Sequence, residues 1–89
     1  MNIEEKYNNF YFYYEYFVVF INGTSYNLNK SKKVLKFLNN LDSFSTIGGV
    51  SKLNNYEQIR LVQVLDLLSI KWKNDKCIID KLDNLRISY

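Results

Sequence analysis

Histidine is absent from this chain of 89 residues, and cysteine occurs once, as Cys77. Without imidazole there is no histidine general base, no histidine metal ligand and no Cys–His nucleophile pair, and one thiol cannot make a multi-cysteine zinc site. Nor can it staple the fold, which fits a reducing, intracellular setting. Cys77 is expected to be a small buried apolar residue. The acidic residues are scattered and none forms an obvious pair with a base. No cofactor is implied, and the chain reads as non-catalytic.

Long apolar runs are missing as well. The stretch from Phe10 to Ile21 is interrupted by Glu15 and falls well short of the ~20 residues that span a bilayer. Glu4 and Glu5 before it, and its many tyrosines, do not fit a secretory signal. The expectation is a soluble, cytoplasmic protein with no membrane partner. Residues 1–89 make one domain with a modest core, behind a frayed lead-in over residues 1–9.

The net charge of +3 is mild, and its placement says more than its size. Between Glu15 and Asp42 the only charged residues are Lys30, Lys32, Lys33 and Lys36, and a second basic group is Lys71, Lys73 and Lys76. Such groups favour an acidic partner, phosphate or an Asp/Glu-rich peptide, unless they are ordinary solvated faces.

The strongest local signal present is the stretch from Phe17 to Leu28, which reads as a β-hairpin turned at Asn22-Gly23. A type I′ turn needs φ > 0 at both central positions, which Gly takes freely and Asn tolerates. Pairing across it sets Ile21 opposite Thr24, Val19 opposite Tyr26 and Phe17 opposite Leu28 on one face, the core face. The other face carries Val18 and Phe20 against Ser25 and Asn27, and is only half apolar. A lone hairpin is marginal, so a third strand is expected from the aromatic run beginning at Phe10. One continuous strand to Ile21 would be too long for so small a body, so a break, or a short helix, falls near Tyr14 to Tyr16. Alternating tyrosines read as sheet packing rather than a platform for stacked bases.

After Leu28 the apolar period lengthens to that of a helix. Asn29 or Ser31 caps a first helix with Val34, Leu35, Leu38 and Leu41 on one stripe. Residues 42–46 read as a loop, and residues 47–53, interrupted by Gly48 and Gly49, give at most a turn or two of helix. Asn55, with Gln58 as its capping-box partner, opens a stronger helix through Ser69 that buries Leu61, Val64, Leu65 and Leu68. Its far side sets Ile59, Arg60, Gln63 and Leu67 side by side, the make-up of a contact surface. Residues 70–79, turning at Asn74-Asp75, read as a second hairpin with Ile70, Trp72, Cys77 and Ile79 inward and Ile78 outward. The tail from Asp80 to Tyr89, with Leu82 and Leu85, fits a short helix but is left unassigned.

The expected class is therefore α+β: N-terminal antiparallel strands, three helices and a C-terminal hairpin wing, the outline of a winged helix-turn-helix. Asn22-Gly23-Thr24-Ser-Tyr26-Asn-Leu28-Asn29, followed by the Val34/Leu38 helix and the Leu65-Asp-Leu-Leu68 helix, resembles PqqD-like domains, the RiPP recognition elements. The phrase from Phe20 to Gly23 also resembles the winged-helix end of cupin-type oxygenases, without their iron-binding cupin. The first resemblance implies a non-catalytic module that binds a precursor's leader peptide as an added strand and presents it to a separate modifying enzyme. Thr24, Ser25, Tyr26, Asn27 and Leu28 would present the edge, Ile59 and Leu67 would take apolar anchors, and Arg60, beside Gln63, would pair with an acidic leader residue.

Two other classes compete. In a DNA-binding reading Arg60 and Gln63 approach bases, while Lys32, Lys36, Lys71, Lys73 and Lys76 neutralise phosphates. In a structural reading Val18, Phe20 and the tyrosine-rich strand form a symmetric interface, so that the protein is a homodimer rather than a monomer.

Overall fold

The computed structural model describes residues 10–21 and 23–85. Three short strands, β1 (Phe10–Tyr13), β2 (Val18–Ile21) and β3 (Thr24–Asn27), form an antiparallel sheet in the order β1-β2-β3. Helix α1 (Ser31–Thr46) follows, then a 3₁₀ turn (Val50–Lys52), helix α2 (Asn55–Lys71) and helix α3 (Lys76–Asn84). The fold is α+β, as its sequence implies, but its last element is a helix. The frayed lead-in, Asn22 and residues 86–89 of the tail lie outside the described residues.

The hairpin forms in the expected register, with Ile21 opposite Thr24 and Val19 opposite Tyr26. Gly23 takes φ +86°, the sign its turn requires. Val19, Ile21, Tyr26 and Leu28 are buried, Phe17 is half-buried, and Thr24 at the tip is exposed. The aromatic run breaks where its length demands, at a turn over residues 14–17 closed by Phe17 N donating to Tyr14 O at 3.1 Å. Phe17 closes it in the left-handed region at φ 51°, a cost for a non-glycine residue that its ring contact with Phe12, 5.7 Å between centroids, helps to offset. On the outer face Tyr11 stacks on Phe20 at 5.3 Å and meets Tyr13 edge-on at 5.6 Å, so these rings pack on one another.

The inner face meets one core. Phe10, Phe12, Val19, Ile21 and Tyr26 from the sheet join Val34, Phe37, Leu38, Leu41 and Phe44 of α1, Leu61, Val64 and Leu68 of α2, and Ile78 of α3. Each such side chain contributes about 1.5–3 kcal/mol by leaving water. Helix α1 packs against β3 and helix α2 against β1, so the two long helices lie under opposite edges of the sheet.

Four sequence expectations are corrected. Residues 42–46 are the last turn of α1, because Phe44 and Ser45 are buried and this burial overrides the weak helix propensity of the Ser/Thr-rich segment. The N-cap of α1 is Lys30, with no side-chain cap: Asn29 instead donates from Nδ2 to Tyr16 O at 3.3 Å, and Ser31 is already helical. The capping box of α2 lies one residue earlier than expected, with Asn54 Oδ1 accepting from Glu57 N at 2.8 Å and Glu57 Oε1 accepting from Asn54 N at 3.0 Å.

The largest correction is the C-terminal wing. Residues 70 and 71 end α2, and Asp75 Oδ1 caps α3 by accepting from Ile78 N at 3.2 Å. Ile78 is fully buried, whereas Ile70 and Cys77 are exposed, the reverse of the hairpin's pattern and of the buried role expected for Cys77. The alternation of Lys71 and Lys73 imitates a period of two. Helical spacing, by contrast, puts Ile78, Leu82 and Leu85 together on the core.

Candidate functional site

Strands β1 and β3 are the two edges of the sheet, and β3 is the one whose main chain the sequence reading places at a binding edge. Leu28 N donates to Phe17 O at 2.9 Å, so the alternation of an antiparallel ladder makes Val19/Tyr26 and Ile21/Thr24 bonded pairs as well. The main-chain groups of Ser25 and Asn27 consequently point away from β2. The Asn27 carbonyl accepts from Lys30 N at 3.3 Å, while both groups of Ser25 and the Asn27 N–H face outward. No described strand lies beyond β3. Neither Ser25 nor Asn27 has an apolar side chain that would shield these groups.

Of the five residues expected at this edge, Thr24, Ser25 and Asn27 are exposed. Tyr26 and Leu28 point inward. The Tyr26 ring lies 5.9 Å from that of Phe37 and its hydroxyl accepts from Asn40 Nδ2, which ties the strand to α1. Leu28 O accepts from Trp72 Nε1 at 3.1 Å, which ties the end of the strand to the end of α2.

The expected helical half of the site lies elsewhere. Ile59, Arg60, Gln63 and Leu67 belong to α2, whose strand neighbour is β1 rather than β3. Ile59 is 58% exposed and Leu67 packs on the core. The Arg60 guanidinium sits over the Tyr56 ring at 5.7 Å and donates from Nη1 to Gln63 Oε1 at 3.2 Å, so its nearest partners are on its own helix. The helix beside β3 is α1. Between it and the hairpin is a depression of about 270 Å³ lined by Ile21, Thr24, Tyr26, Asn40, Ser43, Phe44 and Ile47.

Asn40, Ser43, Phe44 and Ile47 are therefore candidate site residues that ending the first helix at Leu41 kept from being read as one face. The signal was present in the spacing. Lys33, Lys36, Asn40, Ser43 and Ile47 recur every three or four residues, which is one stripe of a continuous helix. Ile47, just past its end, is 73% exposed and stands over the depression.

The basic residues fall into two sets. Lys32 and Lys36 are exposed on α1. Lys71, Lys73 and Lys76 surround the turn from α2 to α3, with Lys71 Nζ 5.3 Å from the Phe17 ring centre and 5.8 Å from that of Trp72. The wing that would carry this second set into a DNA groove is replaced by a helix start. Among the described residues no group of three His, Cys, Asp or Glu could hold a metal ion, and no helix is long and apolar enough to cross a membrane.

Compared with protein-family models, curated proteins and solved structures, the chain shows no match. The resemblance to recognition elements of peptide maturation thus rests on the turn, strand and helix residues quoted for it.

Proposed function

We propose that this chain is a non-catalytic recognition module that takes an extended peptide as an added strand beside β3, with the peptide's side chains resting on α1. The observation that carries this reading is the outward-facing main chain of Ser25 and Asn27 next to the depression under Thr24 and Ile47. In strand addition the open edge supplies affinity through main-chain hydrogen bonds, and pockets for alternate side chains supply the choice of sequence. In the form that the resemblance suggests, the peptide is a precursor's leader and the chemistry belongs to a separate enzyme.

The test uses Ser25→Pro. Proline removes the outward N–H and leaves the ladder bonds to β2 untouched, a substitution that edge strands tolerate. Peptides selected from a random display library should shift the amide resonances of Ser25 and Asn27, and Ser25→Pro should lose binding while keeping its melting temperature. Binders that leave those amides unmoved and ignore Ser25→Pro would refute strand addition. Shifts on Arg60 and Gln63 with duplex DNA alone would favour the nucleic-acid reading instead.

A further inference from the structure

We infer that the peptide taken by this edge has an apolar residue for the depression and acidic residues about three to five positions N-terminal to it. This deepens the strand-addition reading and rests on it. The stripe of α1 that flanks β3 changes character along its length. It is uncharged from Asn40 through Ser43 to Ile47 and cationic at Lys36 and Lys33, with Lys32 alongside.

Among the described residues, no carboxylate lies on this stripe of α1 or on β3. Asp42 and Asp80 line a separate depression on the opposite flank of α1, together with Lys81 and Leu85. At the lysine end Glu15 is exposed on the β1–β2 turn, and Asp75 Oδ1 is engaged as the cap of α3. Neither is on α1 or β3. The first turn of α1 holds no acidic residue, so its helix dipole adds to the positive field of this end.

The spacing follows from the two rises. From Ser43 back to Lys36 and Lys33 is about 10 and 15 Å along a helix at ~1.5 Å per residue. An extended peptide covers these distances in about three to five residues at ~3.3 Å each. The Asn40–Tyr26 contact, and Leu28 leading into Lys30 and Ser31, show α1 running back along β3 from its Leu28 end. A peptide added antiparallel to β3 likewise enters at the lysine end and leaves over the depression, which puts its acidic residues first.

The experiment compares synthetic peptides with one apolar anchor and, four positions before it, either two glutamates, two glutamines or two lysines. Two exposed ion pairs should make the glutamate peptide about tenfold tighter than the glutamine peptide at low salt, and the gap should close at high salt. The double variant Lys33→Ala/Lys36→Ala should abolish the gap without weakening the glutamine peptide. Equal affinities, with Ser25 and Asn27 amides shifting for all three peptides, would overturn this inference and leave strand addition standing. If no peptide moves those amides, both fall. A preference that survives the α1 double variant but disappears in Lys73→Ala would overturn the assignment to α1.

Discussion

Replacing Gly49 by alanine sets two effects of known size against each other. Gly49 has φ −64° and ψ −38°, a conformation alanine adopts freely, so the loss of unfolded-state freedom alone would stabilise the protein by about 0.4–1 kcal/mol. A Cβ at this position, however, would stand 2.3, 2.4 and 2.6 Å from Cε1, Cδ1 and Cζ of Phe44. Carbon atoms in contact prefer about 3.5–4.0 Å, so the ring must retreat by more than ~1 Å. Phe44 is 6% exposed and seated in the core, where such overpacking costs about 1–3 kcal/mol. The clash outweighs the entropy, leaving a net destabilisation of about 1.5 kcal/mol, or a melting temperature lower by about 6–12 °C for a domain of this size. Calorimetry on Gly49→Ala, Phe44→Leu and the double variant separates the causes. The smaller leucine should relieve the clash, so the double variant should be less destabilised than the sum of the singles by at least ~1 kcal/mol. Gly48→Ala is the control: its φ of +83° costs about 1–2 kcal/mol with only Ser51 Oγ nearby, at 3.8 Å, and Phe44→Leu should not rescue it. A Gly49→Ala protein that melts at or above the parent, or additive energies in the cycle, would refute the reasoning.

Five further substitutions probe the fold by thermal or denaturant unfolding. Asn54→Ala should cost about 1 kcal/mol as the lost cap of α2, and Asn55→Ala almost nothing, reversing the order expected from sequence. Ile78→Ala should cost about 2–5 kcal/mol, while Ile70→Ala, at a 68% exposed site, should stay within about 0.5 kcal/mol; a hairpin wing would give the opposite ranking. Trp72→Phe keeps a ring at the end of α2 but leaves Leu28 O without its donor, so a loss of about 1 kcal/mol is expected, against none if that hydrogen bond is idle.

The elements read correctly from sequence are those whose signals are local. The turn with Gly23, the strand register it sets and the break before Phe17 follow from backbone sterics and the alternation of a pleated chain. The buried stripes of α1 and α2 follow from helical periodicity in Val34, Leu38 and Leu41, and in Leu61, Val64 and Leu68. Readings that depended on what a segment packs against went astray. Residues 42–46 are helical because Phe44 has a core to enter, and residues 76–84 are helical because Ile78 does.

The same division runs through the candidate site. Composition alone removed histidine chemistry and set four lysines, with no carboxylate, between Glu15 and Asp42. That β3 and its exposed Ser25 and Asn27 would form a strand was legible too, because pairing across a two-residue turn is nearly a covalent constraint. Which helix stands beside that strand was not. Helices α1 and α2 each offer an apolar stripe that fits the same inner face, and only the joint packing of both puts α1 under β3 and α2 under β1. Asn40 to Tyr26 and Trp72 to Leu28 are contacts between residues 14 and 44 positions apart, and no local pattern encodes a partner at that distance.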